Sequence, residues 1–180
     1  MSWRALQSRT VYENRWIRVR EDAVVRPDGG EGIYGVVEMV APAVFVVALT
    51  AAEEVVLVAQ ERYTIGARSI EVPAGATDGE EPLTAARREL REETGLVARQ
   101  WRPLGRMNAL NGIANAPELV FLARELSPAA EGDERAAEGI TDVLRVPFGE
   151  VLGMVAAGEI VDGETIAALA LAGIALGRFA

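Results

Sequence analysis

The sequence predicts a mixed α/β fold, a sheet covered by helices, with a small antiparallel sheet ahead of it. Three observations carry this. Strand-like patterns come first, one helix follows, strands return, and two helices close the chain, an order that suits a mixed sheet rather than a regular βαβ array. Residues 43–49 (Ala-Val-Phe-Val-Val-Ala-Leu) are continuously apolar, as in a strand buried on both faces. Residues 16–20 alternate apolar and charged, as in a half-buried strand.

Each element follows from its local pattern. Pro27-Asp28-Gly29-Gly30 is a turn, and residues 33–40 read as the return strand of a two- or three-stranded sheet. Such a sheet is marginal alone and needs something to pack on. Residues 1–42 are therefore taken as an N-terminal sheet and 43–180 as the main domain. After the apolar strand, residues 50–54 form a turn and 55–59 the partner strand, before polarity returns in Gln60-Glu61-Arg62-Tyr63. Residues 69–72 read as a strand stopped by Pro73-Ala74-Gly75. Pro82 suits the first turn of a helix, where its missing N–H costs nothing. Gly95 suits the residue just past the helix end. Residues 101–107, 119–126 and 143–146 read as strands, 127–141 as an acidic loop, and 148–157 and 164–176 as helices. Phe45, Trp101 and Phe121 read as core.

Composition excludes several chemistries. The 180 residues include no Cys and no His, so thiolate nucleophiles, zinc–thiolate sites and imidazole bases are impossible. Acid–base and metal chemistry must come from carboxylates, Lys/Arg, hydroxyls and backbone. With 27 acidic against 18 basic residues the net charge is −9, which argues against nucleic-acid or anionic-membrane partners. The apolar run 166–176 is too short to span a bilayer, which takes ~20 residues. No signal-peptide pattern opens the chain, so a cytoplasmic location is the default. A phosphorylated substrate would be repelled unless a cation stood between it and the protein.

Residues 82–94 supply that possibility. On a helix, Glu89, Glu92 and Glu93 stand at i, i+3 and i+4 and share an arc of about 100°. Leu83, Ala86 and Leu90 fill an apolar arc; Arg87, Arg88 and Arg91 fill the rest. Three carboxylates on one arc repel each other, and a hard cation such as Mg²⁺ relieves that while bridging to phosphate. The competing reading is a solvated face laced by pairs such as Arg88–Glu92.

Glu71-Val72-Pro73-Ala74-Gly75, Glu80, Arg88-Glu89-Leu90 and Glu92-Glu93-Thr94-Gly95-Leu96 together resemble the signature of the Nudix hydrolases. That signature is a Gly, a Glu, then Arg-Glu-apolar-x-Glu-Glu-x-Gly-apolar at fixed spacings. There is one departure. Counting back from Arg88, the pattern puts its Gly at position 74, which is Ala here. Gly75 is one residue late, and the loop to the helix is one residue shorter. The resemblance implies an α/β/α sandwich with a mixed sheet plus the N-terminal antiparallel sheet. It implies Glu89, Glu93 and Glu92 as ligands of Mg²⁺ (or Mn²⁺), with the Ala74 carbonyl completing the set and Arg88 orienting the carboxylates.

The Glu-x-Pro-Ala-Gly segment and the N-terminal sheet resemble the ADP-ribose and nucleotide-sugar pyrophosphatase branch. That likeness implies cleavage to a nucleoside monophosphate and a sugar phosphate, and a homodimer through residues 1–40. It makes Arg62 a candidate phosphate contact, the other reading being a pair with a surface carboxylate. Glu71 and Gly75 join it as substrate-binding candidates. It places a general base on the acidic loop, Glu138 or alternatively Glu134, with Glu92 or Glu93 as further options. Residues 107–113 lack the Pro common in ADP-ribose enzymes, so another nucleotide sugar remains open. There Asn108 and Asn111 are either sugar or phosphate donors or simply turn residues. Trp16 and Tyr34 either stack on a base or pack in an interface. Two rival functions stand beside this one: nucleoside triphosphate pyrophosphohydrolase, and a Nudix-fold nucleotide-binding module without turnover.

Overall fold

The structure is a computed structural model and describes residues 2–132 and 134–179. In chain order the elements are β1 (Arg4–Glu13), β2 (Ile17–Val25), β3 (Glu31–Met39), β4 (Ala43–Leu49), β5 (Glu54–Arg62), β6 (Ala67–Glu71) and β7 (Ala74–Ala76). Then come α1 (Pro82–Thr94), β8 (Leu96–Asn108), β9 (Ala114–Asn115), β10 (Pro117–Pro128), β11 (Ile140–Pro147), α2 (Phe148–Ala157) and α3 (Gly163–Ala175).

The chain divides into two compact units. One holds the residues up to Pro42 together with Asn108–Glu118; the other holds Ala43–Met107 and the chain from Leu119 onward. In the first unit β1, β2 and β3 form an antiparallel meander. The Asn14 side chain accepts from the Trp16 and Ile17 amides and closes the first turn. Asp28 accepts from the Gly30 amide and closes the second. A fourth strand that the sequence did not suggest, β9, pairs in parallel with β3 through Val37 and Ala114. It is two residues long, too short to leave a periodic signal.

The second unit is a sheet in the order β11-β5-β4-β10-β8, with β6 added to β5 and β7 to β4. Its strands bury both faces, and the core is correspondingly double. Val44, Val46 and Ala48 of β4 pack with Ala85, Ala86 and Leu90 of α1. The alternate residues Val47 and Leu49 pack with Phe148 and Val151 of α2 and with Ala168 and Leu169 of α3. α1 thus lies on one face of the sheet, and α2 and α3 on the other. Phe121 is buried, while Phe45 and Trp101 are half-buried against the same clusters.

Two boundaries depart from expectation for physical reasons. β5 continues through Gln60-Glu61-Arg62 despite their polarity, because β6 pairs with it along Val58–Arg62 and β11 along Glu54–Gln60. Ladder hydrogen bonds override composition there. The chain after Pro73 is not a stop either. It resumes as β7, pairing Ala74, Gly75 and Ala76 with Phe45, Val44 and Ala43. Pro73 ends β6, yet its carbonyl accepts from the Val46 amide, which keeps the segment on β4.

Candidate active site

α1 is fixed at both ends by its own residues. The Glu81 carboxylate caps it by accepting from the Leu83 and Thr84 amides, Pro82 fills the first turn, and Gly95 closes it with φ 69°. Its buried residues are Ala85, Ala86, Glu89, Leu90, Glu93 and Thr94. Glu89 is 7% exposed and Glu93 5%, so these two do not lie on a solvated face. Burying two acids on one stripe is costly unless something compensates the charge.

The compensation begins with β7. The Ala74 amide donates to Glu93 Oε2 at 2.9 Å. Gly75 lies directly under Glu89: a Cβ built there would stand 2.2 Å from Glu89 Oε1. Only glycine leaves room for that carboxylate. The short loop is absorbed beyond this point. The Glu80 amide donates to the Thr77 carbonyl at 2.8 Å, closing a tight turn with Asp78 at φ +50° and Gly79 at φ +85°. Gly75 therefore occupies the place under the helix although it is one position late in sequence.

Arg88 joins the parts. Its Nε donates to Glu80 at 2.8 Å, its Nη1 to Glu89 at 2.7 Å and Glu92 at 3.1 Å, and its Nη2 to the Ala76 carbonyl at 2.8 Å. Burial opposes its charge, but the pairs with these glutamates outweigh it and hold Arg88 protonated beyond its usual range. Arg91 donates to the other oxygen of Glu92 at 2.7 Å. Glu92 is thus gripped from both sides, while Glu89 lies over Gly75 and Glu93 is held by the Ala74 amide.

Burial pushes the Glu93 carboxyl up to about 8; the Ala74 amide and Arg62 oppose the rise, and the charges of Glu89 and Glu138 add to it. Glu89 is pushed up by burial first, against Arg88, with Glu92 and Glu138 adding to the rise. Glu138 is exposed, yet its charge is felt by both. It stands one turn beyond Glu134, whose amide donates to the Glu92 carbonyl at 2.9 Å.

A second cluster adjoins the first. Arg62 forks onto Glu71, Nε to Oε1 at 2.9 Å and Nη2 to Oε2. Its partner is a buried carboxylate, 5% exposed, not a surface one. The hydrogen bond to Glu71 is the main reason the guanidinium is held charged above its ordinary range; Glu93 and Asp162 contribute as well. The start of α3, read from the sequence at residue 164, also lies here, which the sequence did not foretell. Asp162 caps that helix by accepting from the Thr165 amide at 2.7 Å, and the buried Thr165 hydroxyl accepts from the Val72 amide at 3.1 Å. Glu164 is pushed up chiefly by burial, and also by Asp162 and Glu71. The readable signal was Asp162 ahead of Gly163-Glu164, a helix N-cap pattern; its closeness to residues ninety positions earlier has no sequence signature.

The structure therefore brings together Ala74, Gly75, Arg88, Glu89, Glu92 and Glu93, with Arg62, Glu71, Glu134 and Glu138 around them. Trp16 and Asn111 belong to the other unit. Trp16 is exposed with the Arg15 guanidinium 4.1 Å from its ring centroid, and Asn111 is exposed in the turn before β9. Tyr34 is in the same unit, in edge contact with Trp3, its hydroxyl donating to the Gly112 carbonyl.

The donor set fits a hard divalent cation. It is all oxygen, it holds two buried acids of raised pKa, and Gly75 keeps the ground beneath Glu89 clear. Among the described residues no three acidic side chains close on one point, because Glu92 is turned onto the two arginines. Glu89 and Glu93 would hold the ion, joined by Glu92 on leaving that grip. Among the described residues no helix is long and apolar enough to cross a membrane.

Comparison with known proteins agrees with this geometry. A family model described as "NUDIX domain" matches residues 39–169, and one described as "Nucleoside diphosphate sugar hydrolase N-terminal domain" matches 3–37. An ADP-ribose pyrophosphatase of Mycobacterium tuberculosis is 34% identical over 164 residues, covering 90% of this chain and 79% of the relative. Another from Bacillus subtilis is 34% identical over 128 residues, covering 71% and 69%. A solved structure described as an ADP compounds hydrolase superposes with a TM-score of 0.86 at 22% identity, covering 99% of this chain and 96% of its own, which shows the same fold. Nudix hydrolases generally need a divalent metal. With the matched domain and the carboxylate helix at its centre, the chain belongs to the Nudix family of hydrolases, enzymes that act on diphosphate bonds.

Proposed function

We propose that this chain hydrolyses the pyrophosphate bond of ADP-ribose or a related nucleotide sugar, using Mg²⁺ or Mn²⁺, to a nucleoside monophosphate and a sugar phosphate. The observation that carries the reading is the burial of both Glu89 and Glu93, with Glu89 directly over Gly75, in a chain whose net charge of −9 would otherwise repel a diphosphate. Glu89, Glu93, Glu92 and the Ala74 carbonyl would hold the metal. Bound there, divalent ions neutralise diphosphate oxygens and lower the pKa of an attacking water.

The chain's own residues do the rest. Glu71 uses two guanidinium nitrogens of Arg62 and leaves Nη1 for a phosphate oxygen. Glu138, exposed on its loop and electrostatically felt by Glu89 and Glu93, accepts the water's proton. The water oxygen bonds to phosphorus, the bridging P–O bond breaks, and its electron pair leaves with the departing phosphate. Glu134 is the alternative acceptor on the same loop. Glu92 suits the task less, since both its oxygens already accept from arginine. Glu93 suits it less because it is buried and bonded to Ala74. Arg88 orients Glu89 and Glu92. The N-terminal sheet makes a homodimer, in which Trp16 and Asn111 are candidates for base and sugar contacts, and the cytoplasm is the expected compartment.

The test is a Mg²⁺-dependent screen of ADP-ribose, GDP-mannose, UDP-glucose, dinucleoside polyphosphates and nucleoside triphosphates. Turnover of a nucleotide sugar well above the triphosphates is expected. Preference for triphosphates would overturn the substrate class, and binding without turnover of any would overturn the enzymatic reading.

A further inference from the structure

Residues 129–139 run from β10 to β11 and carry Glu134 and Glu138. They are tied to the last turn of α1. The carbonyls of a last helical turn have no partner within the helix, and the loop supplies one. The Glu134 amide donates to the Glu92 carbonyl at 2.9 Å, and the Ala129 amide donates to the carbonyl of the capping Gly95 at 2.8 Å.

Between these two ties Gly132 lies against Arg91. Its φ is +91°, and a Cβ there would stand 2.4 Å from Arg91 Nε and 2.8 Å from Cδ. Arg91 is not free to retreat, because its Nη2 is bonded to Glu92. Its Nε is buried without a hydrogen-bond partner among the described residues. An unpartnered buried donor is costly, so packing of the loop, not hydrogen bonding, holds that part of the side chain. Beyond Glu134 the chain makes one tight turn. The Ala137 and Glu138 amides donate to the Glu134 carbonyl at 2.8 and 3.1 Å, and the Ile140 amide to the Arg135 carbonyl at 2.9 Å. That turn, hung from the Glu92 carbonyl through Glu134, sets where Glu138 stands relative to the last turn of α1 and its Glu92 and Glu93.

We propose that Arg91 and Gly132 are positioning residues: their close contact latches the acidic loop to the end of α1 and so places Glu138 at the Glu89–Glu93 pair. This rests on the reading of Glu138 as proton acceptor. Neither residue needs to touch substrate for this.

The test uses Gly132→Ala, which removes no carboxylate, in the full chain. The kcat on the preferred nucleotide sugar should fall roughly tenfold to a hundredfold, the scale of a misplacement of about 1 Å. The KM should stay within about twofold, and the Mg²⁺ concentration for half activity should move far less than kcat, since Glu89, Glu93 and Arg62 are untouched. Adding Glu138→Gln to Gly132→Ala should cost far less than Glu138→Gln alone, because the carboxylate is already displaced. Arg91→Ala should relieve part of the Gly132→Ala loss, the clash being with Arg91 itself. Wild-type kcat in Gly132→Ala, full additivity with Glu138→Gln, or a shift in metal response as large as the fall in kcat would each overturn the latch. Hydrogen exchange at the Ala129 and Glu134 amides gives a readout independent of turnover. Protection should drop in Gly132→Ala, and unchanged protection would sink the latch even if no diphosphate proved to be a substrate. Absence of turnover in the wild type would sink only the reading of the activity.

Discussion

Glu89 and Glu93 are acids placed where acids are costly, and burial pushes both carboxyls up. With Glu93 raised to about 8, the folded protein binds a proton there that the unfolded chain has already released. Without metal, that contribution to stability is full below the ordinary glutamate range and is lost as pH climbs through the folded value. Glu93→Gln cannot lose that proton. Metal-free wild type and variant should therefore melt alike near pH 4, and the wild type should fall behind as pH rises toward about 9. Parallel melting curves across that span, measured in chelator, would contradict the burial argument. Adding Mg²⁺ should stabilise the wild type and not the variant, and kcat in Glu93→Gln should fall by several orders of magnitude with the fold intact. Gly75→Ala makes a separate prediction. A methyl 2.2 Å from the Glu89 carboxylate must displace it, so metal affinity should fall at least tenfold while α1 remains helical, checked by Mn²⁺ titration alongside circular dichroism. The Glu-x-x-Glu-Glu spacing was legible in the sequence. Which acids are buried was not, because burial depends on β7 lying beneath the helix, and three residues of strand after a proline carry no periodic signal.

At the scale of elements, legibility tracks how local the determinants are. α1 runs from Pro82 to Thr94 as read, because Pro82 and Gly95 both act within one turn of its ends. α2 likewise spans Phe148–Ala157. The polar end of β5, and β7 and β9, depend on partners far along the chain, so their composition misleads or is silent. The link between α3 and the Glu71–Gly75 segment is of the same non-local kind. Thr165 is fully buried and spends its hydroxyl on the Val72 amide, fixing the strand end that carries Glu71 and leads to Ala74. Thr165→Val keeps the shape and orphans that amide. The expected cost is about 1–3 kcal/mol, with a modest rise in KM if Glu71 and Arg62 shift with it. Thermal unfolding and substrate titration would check both, and an unchanged melting temperature would show that the amide finds another acceptor.

For the molecule as a whole, two features of composition matter: the net charge of −9 and the distribution of apolar residues. The second unit buries its apolar residues on two faces of one sheet, whereas the first leaves β1 exposed along its whole length. Trp3, Leu6, Val11 and Tyr12 are each about half exposed there. β1 is an edge strand, and its pairing with β2 slips at two places, between Ala5 and Gln7 and between Thr10 and Tyr12. The extra residues at those bulges are Leu6 and Val11. Bulges blunt an edge against strand-by-strand extension, so the apolar residues they carry would be covered by packing a second copy over them rather than by lengthening the sheet. Both stand outside the ladder register, so changing them leaves the hydrogen bonding of β1 to β2 in place. Leu6→Glu with Val11→Glu should therefore keep the fold and convert a homodimer to a monomer in sedimentation at micromolar concentration. Monomeric wild type under the same conditions would remove the homodimer altogether. A dimer that survives both charges would move its interface away from β1.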